Sequence, residues 1–152
     1  MSEALRTFLV AAVALGAGFS FQSLRTAAIP DSSPERLVAE LRLAQVAALI
    51  LTLIAGAYLG LAAGQESRIG VGLDIAFAAG FFVLCAYTLT CDPRQALTLL
   101  ALGFAAHAIL DIAHRPGVLP DALAPRWYTV GGATFDVILG ALCYFPILRR
   151  PE

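Results

Sequence analysis

The chain has 152 residues and a mass of 16.0 kDa, enough for one domain and short for two. Hydrophobic residues make up 59% and charged residues 14%, against about 45–50% and about 25% in a soluble domain, and mean hydropathy is +0.80. These values exclude a soluble globular protein, a disordered tail and a disulfide-built secreted module, and a net charge of -1 leaves no basic field for nucleic acid.

A membrane-spanning helix needs about 20 mainly apolar residues. Five stretches qualify, so the predicted architecture is an all-α membrane protein, a five-helix transmembrane bundle in a single domain over residues 1–152. The first helix covers about 5–24. Its N-terminal region holds both Glu3 and Arg6 and no small-x-small cleavage site stands before Pro30, so it reads as a retained helix. A cleaved signal or a peripheral segment would leave four helices. The second covers about 41–63. Asp31-Ser32-Ser33-Pro34-Glu35 reads as a cap with proline at the first helical position, so the helix can begin at Pro34. Glu35, Arg36, Glu40 and Arg42 would then lie in the headgroup region. The third covers about 69–89. Asp92-Pro93 repeats the capping device before the fourth, about 95–113, which Arg115-Pro116-Gly117 ends. A loop holding Asp121 and three prolines leads to Trp127-Tyr128, an interfacial aromatic pair, and to the fifth helix, about 129–148.

Short loops make consecutive helices antiparallel neighbours. The side of the N-terminus then carries Arg6, Arg68, Arg115 and Arg126, and the other side Arg25, Arg36, Arg42, Arg94, Arg149 and Arg150. The larger group marks the cytoplasmic face, so the expected topology is N-out and C-in. All basic residues are Arg, and Ala is abundant, as in proteins of GC-rich bacteria. The expected location is a bacterial inner membrane. Cys85, Cys91 and Cys143 lie in or beside apolar segments and read as free thiols.

Ionisable residues inside a span cost at least about 2.5–3.5 kcal/mol each and are functional candidates by default. Here they are Asp74, His107, Asp111 and Asp136, with His114 just past its segment. The fourth helix carries H-x-x-x-D-x-x-H. At about 100° per residue, Asp111 lies about 40° from His107, and His114 about 20° to the other side. Imidazole and carboxylate on one stripe suit a divalent metal, zinc first and iron or manganese next. The dipole at the end of a helix disfavours Asp111, and a nearby cation removes that objection. Alternating topology brings Asp74, His107, Asp136 and Tyr58 to similar depth in one leaflet. Gly132, Asp136, Gly140 and Cys143 share a stripe, as do Asp74, Ala78, Phe81 and Cys85. The expected metal ligands are therefore His107, Asp111, His114 and Asp136. Asp74 is the expected general base or supporting partner, and Tyr58 the proton donor. The ligand atoms of His107 and Asp136 must then lie within about 8 Å of each other.

Blander readings stand beside these. Asp74 alone could pair with Arg115 or Arg126, His114 alone could bond the last carbonyls of its helix, and the cysteines could be small buried hydrophobes.

The stretch GFAAHAILDIAHRPGVLPDALAPRWYTVGGATFDVILGALCYFP, from Gly103 to Pro146, resembles a family of small uncharacterised bacterial integral membrane proteins. They share a His-x3-Asp-x2-His helix, a proline-bearing loop and a following helix with a buried Asp. Where the family often has a further His after the motif and a Cys before the last Asp, this chain has Arg115 and the run from Gly131 to Thr134. The resemblance implies a polar site and no particular reaction.

The functional expectation is a metal-dependent hydrolase acting on a lipid-like substrate. Its partners would be membrane lipids and an amphiphilic small molecule, with no nucleic acid. The alternatives are a proton or metal-ion transporter, whose polar residues should continue across the bilayer, and a non-catalytic membrane subunit.

Overall fold

The computed structural model describes residues 3–63, 71–115, 118–119 and 124–149. They form five helices and, among the described residues, no strand: α1 (Glu3–Ala28), α2 (Pro34–Ala63), α3 (Val71–Thr88), α4 (Pro93–Ala113) and α5 (Arg126–Leu148). Four of these are long and apolar enough to cross a membrane. The fifth, α3, is apolar but has 18 residues, about 27 Å of helix against a hydrocarbon core of about 30 Å. Its expected start at Ile69 lies outside the described residues. So do Arg68, Pro116, Gly117, Asp121 and Arg150.

The helix starts follow from capping chemistry. Ser33 Oγ accepts from the Glu35 N–H at 3.3 Å, with Pro34 at the first position of α2. Asp92 accepts from the Arg94 and Gln95 N–H groups, ahead of Pro93 in α4. Each cap satisfies donors that have no partner inside the helix.

The pair α4–α5 is the most extensive contact, followed by α2–α3. Glycine permits the first. A Cβ on Gly140 would meet the Ala101 carbonyl oxygen at 3.2 Å. Large apolar side chains face outward on every helix, among them Val13, Leu49, Val83, Ile109 and Val137. Polar groups turn inward, the arrangement a lipid solvent requires.

Two polar clusters lie at opposite ends of the bundle. At the end where α1, α3 and α5 finish, Arg36 is buried within the protein. Its guanidinium donates to Glu40 Oε1 at 2.7 Å and to the carbonyls of Thr26 and Ile29, each at 2.7 Å, and also to that of Pro146. These carbonyls lie at or just past the ends of α1 and α5, where helical hydrogen bonding runs out. Glu40 is buried with it and also binds Arg94, which holds Asp31. Arg36, whose sequence position says only that it lies near a membrane surface, is thus a clamp between helix ends.

Candidate metal centre

At the other end, α4 carries His107 and Asp111 one turn apart, and α5 carries Asp136 opposite them. All three side chains are buried. His107 Nδ1–H donates to Asp136 Oδ2 at 2.8 Å, and the same nitrogen lies 3.7 Å from Asp111 Oδ1. The expected proximity of His107 and Asp136 therefore holds with a wide margin. One donor atom from each of His107, Asp111 and Asp136 lies within 4.8 Å of the others. Four tetrahedral donors at about 2.0–2.1 Å from one ion stand about 3.3 Å apart. The separations of 2.8 and 3.7 Å from Nδ1 lie on either side of that value, so an ion could bind there only in place of the proton that Nδ1 gives to Asp136.

Two further details fit a cation. Asp136 is fully buried, and its Oδ1 has no hydrogen-bond partner among the described residues. A buried carboxylate oxygen left alone is costly, and native structures rarely keep one without cause. The second detail is Gly132, one turn before Asp136. A Cβ built there would collide with Asp111 Oδ2. Only glycine lets the Asp111 carboxylate lie against α5.

Tyr58 reaches in from α2 and donates its hydroxyl to Asp111 Oδ1. Its ring packs edge-on against His107, with centroids 5.5 Å apart, and Phe81 covers the imidazole at 5.0 Å. These contacts fix the ring from two sides.

His114 does not join the other three. Its Nδ1–H donates to the Leu110 carbonyl at 2.7 Å, and its Nε2 pairs with Asp74 Oδ1 at 2.9 Å. Both nitrogens are engaged, so the four-ligand set reduces to three. The cause is local: His114 is the C-cap of α4, with φ -71° and ψ 75°. The helical wheel stops applying at that residue. Asp74 takes His114 as its partner, where its blander reading offers Arg115 or Arg126. The pair lines a cavity of about 20 Å³ shared with Tyr58 and His107, room for about one water.

No family model, curated protein or solved structure matches this chain. The chemistry of the site has to be read from its own geometry.

That geometry includes a larger space. A cavity of about 650 Å³ opens between α1, α2 and α5. Its walls are apolar, with Phe8, Leu15, Leu53 and Phe135 among them, and His107, Asp111 and Asp136 line it together with Tyr58. Leu53 is 61% exposed, so the cavity borders the outer surface that lipid would cover. Such a volume is in the range of small-molecule sites, which are largely apolar with a few convergent polar groups.

Tyr128, expected only as an interfacial aromatic, lines this cavity and packs on Phe8 and Tyr58. Cys85 and Cys143 face inward and are buried, as their stripes required, and neither belongs to the His/Asp group. The roles of Gly132 and Tyr128 had weak sequence signals. Gly132 lies on the Asp136 stripe, and Tyr128 is one turn before it.

Proposed function

We propose that His107, Asp111 and Asp136 hold a divalent metal ion, zinc before iron or manganese. We further propose that the protein uses this ion to hydrolyse a lipid-like substrate entering from the bilayer. The single observation that carries the reading is the unpartnered Oδ1 of buried Asp136 beside two other ligand-type side chains. Three protein donors leave a position open, as in catalytic zinc sites. A bound ion there would polarise a carbonyl or phosphoryl oxygen and make water more acidic.

The chain's own groups support the rest. Tyr58 keeps Asp111 turned toward His107 and carries a hydroxyl proton at the cavity wall. Asp74 and His114 form a hydrogen-bonded pair across a water-sized space from Tyr58 and His107, suited to accepting a proton from that water. The apolar walls would hold a hydrocarbon tail and keep bulk water out. The reading sets this site in a bacterial inner membrane with N-out, C-in topology.

A second reading is a metal-free proton-handling network. The His107–Asp136 and Tyr58–Asp111 hydrogen bonds favour it, since both close without an ion. Elemental analysis of protein purified without added metal separates the two. Wild type should carry close to one equivalent of a transition metal, and His107→Ala should carry almost none. Less than about a tenth of an equivalent in wild type would overturn the metal reading in favour of the proton network.

A further inference from the structure

We propose that the seam between α1 and α2, at the end of the bundle away from the metal centre, binds an anionic phospholipid taken from the bilayer. A groove of about 620 Å³ runs along this seam. Arg25 and Arg42 line it, with Gln22 between them and Phe21, Ile29 and Val38 as apolar wall. Both arginines stand at the polar edge of apolar sequence, where a headgroup phosphate lies.

What sets these two apart is the use made of every other charge nearby. Arg36 and Arg94 share Asp31 and Glu40. Arg25 and Arg42 make no ion pair or hydrogen bond among the described residues. The remaining acidic group in the groove is Glu35, on the outermost turn of α2, and the two guanidiniums outnumber it. A phosphodiester supplies the missing anion, and two arginines offer it a forked set of donors.

The groove also continues where an acyl chain would go. Gly18 and Gln22 are shared with a second groove of about 460 Å³ on the same seam. Its walls are apolar, with Leu15, Phe19, Val46 and Leu49 among them. Gly18 opens this passage. A Cβ built on it meets nothing within 4 Å. A polar end with unpaired cations joined to an apolar channel is the complement of an anionic lipid. It is a poor complement of a free anion, which has no use for the channel.

Native mass spectrometry of the full chain, delipidated in detergent, tests this. Dioleoyl phosphatidylglycerol and dioleoyl phosphatidylcholine are offered at equal concentration. Wild type should retain the anionic lipid with more than about tenfold preference, about fivefold for each arginine near the phosphate. Arg25→Gln with Arg42→Gln should bring the preference to about one. Both side chains are exposed and unpartnered, so the helices should persist, as circular dichroism would verify. Gly18→Phe, whose ring projects into open space, should lower the retention of both lipids. Inorganic phosphate should displace neither. Equal retention of the two lipids by wild type, an unchanged preference in the arginine variant, no effect of Gly18→Phe, or displacement by inorganic phosphate would each overturn the proposal.

Discussion

Among the described glycines, the closest fit is between a carboxylate and a missing side chain. Asp111 Oδ2 occupies the place where a Cβ of Gly132 would be. Gly132→Ala is therefore a sharp probe. The methyl group must push the carboxylate off α5, and overpacking of this kind costs about 1–3 kcal/mol. Alanine is also the better helix former by about 1 kcal/mol, which offsets part of that cost. We expect Gly132→Ala to remain folded, with Tm within a few degrees of wild type, and to lose most of its bound metal. Normal metal content in that variant would mean that Asp111 is not a ligand. The stripes that meet here were legible in sequence: Asp136 with Gly132, and His107 with Asp111, come from 3.6-residue periodicity alone. His114 was not legible in the same way. The periodicity that aligned it with Asp111 ends one residue before it, and its partner, Asp74, lies on another helix.

Between elements, the bonds that matter repair defects in helices. Pro146 stands inside α5 and has no N–H to give the Leu142 carbonyl four residues back. Ser23 of α1 supplies the donor, with its hydroxyl 2.7 Å from that oxygen. The buried part of α1 begins near there, at Phe19, Ser23, Thr26 and Ala27. A proline defect in one helix thus fixes the seat of another. Ser23→Ala should cost about 1–2 kcal/mol, because it strands a buried carbonyl. Pro146→Ala restores the helical donor, so in that background Ser23→Ala should cost much less. A double-mutant cycle on unfolding in detergent measures the difference, and equal costs in both backgrounds would refute the repair. The helix starts at Pro34 and Pro93 could be read from capping residues. The Ser23–Leu142 link could not, because nothing local says which distant hydroxyl will meet a freed carbonyl. The same holds for Arg36. Its spacing from Glu40 announces a pair on α2, but its burial depends on where α1 and α5 end.

Across the whole molecule, the two polar clusters are kept apart by an apolar layer. From Ala96 to Phe104 the buried face of α4 holds only Ala96, Leu97, Leu100, Gly103 and Phe104. Leu43, Ala47 and Leu51 of α2 and Leu139 of α5 complete the layer, each with no exposed surface. Nine residues of α4 correspond to about 13 Å of helix. A proton or metal ion crossing that distance would have to leave its polar partners, at a cost of several kcal/mol in a water-free interior. The hydroxyls in this region offer little help. Thr52 and Thr88 donate to carbonyls of their own helix, those of Ala48 and Cys85. Alternating topology already indicates that Asp74, His107 and Asp136 share one leaflet, and the buried layer is what separates them from Arg36 and Glu40 at the other end. On the proposed reading the site works from one side. Proteoliposomes holding the protein and a pH-sensitive dye, with an acid step imposed outside, should therefore equilibrate no faster than protein-free liposomes. The same should hold with a zinc-sensitive dye and added zinc. Asp136→Asn should leave both rates unchanged, since a one-sided site offers no conduction to block. A wild-type rate several times the lipid background, abolished by Asp136→Asn, would instead mean that the layer opens and that the His/Asp cluster is one station of a transport path.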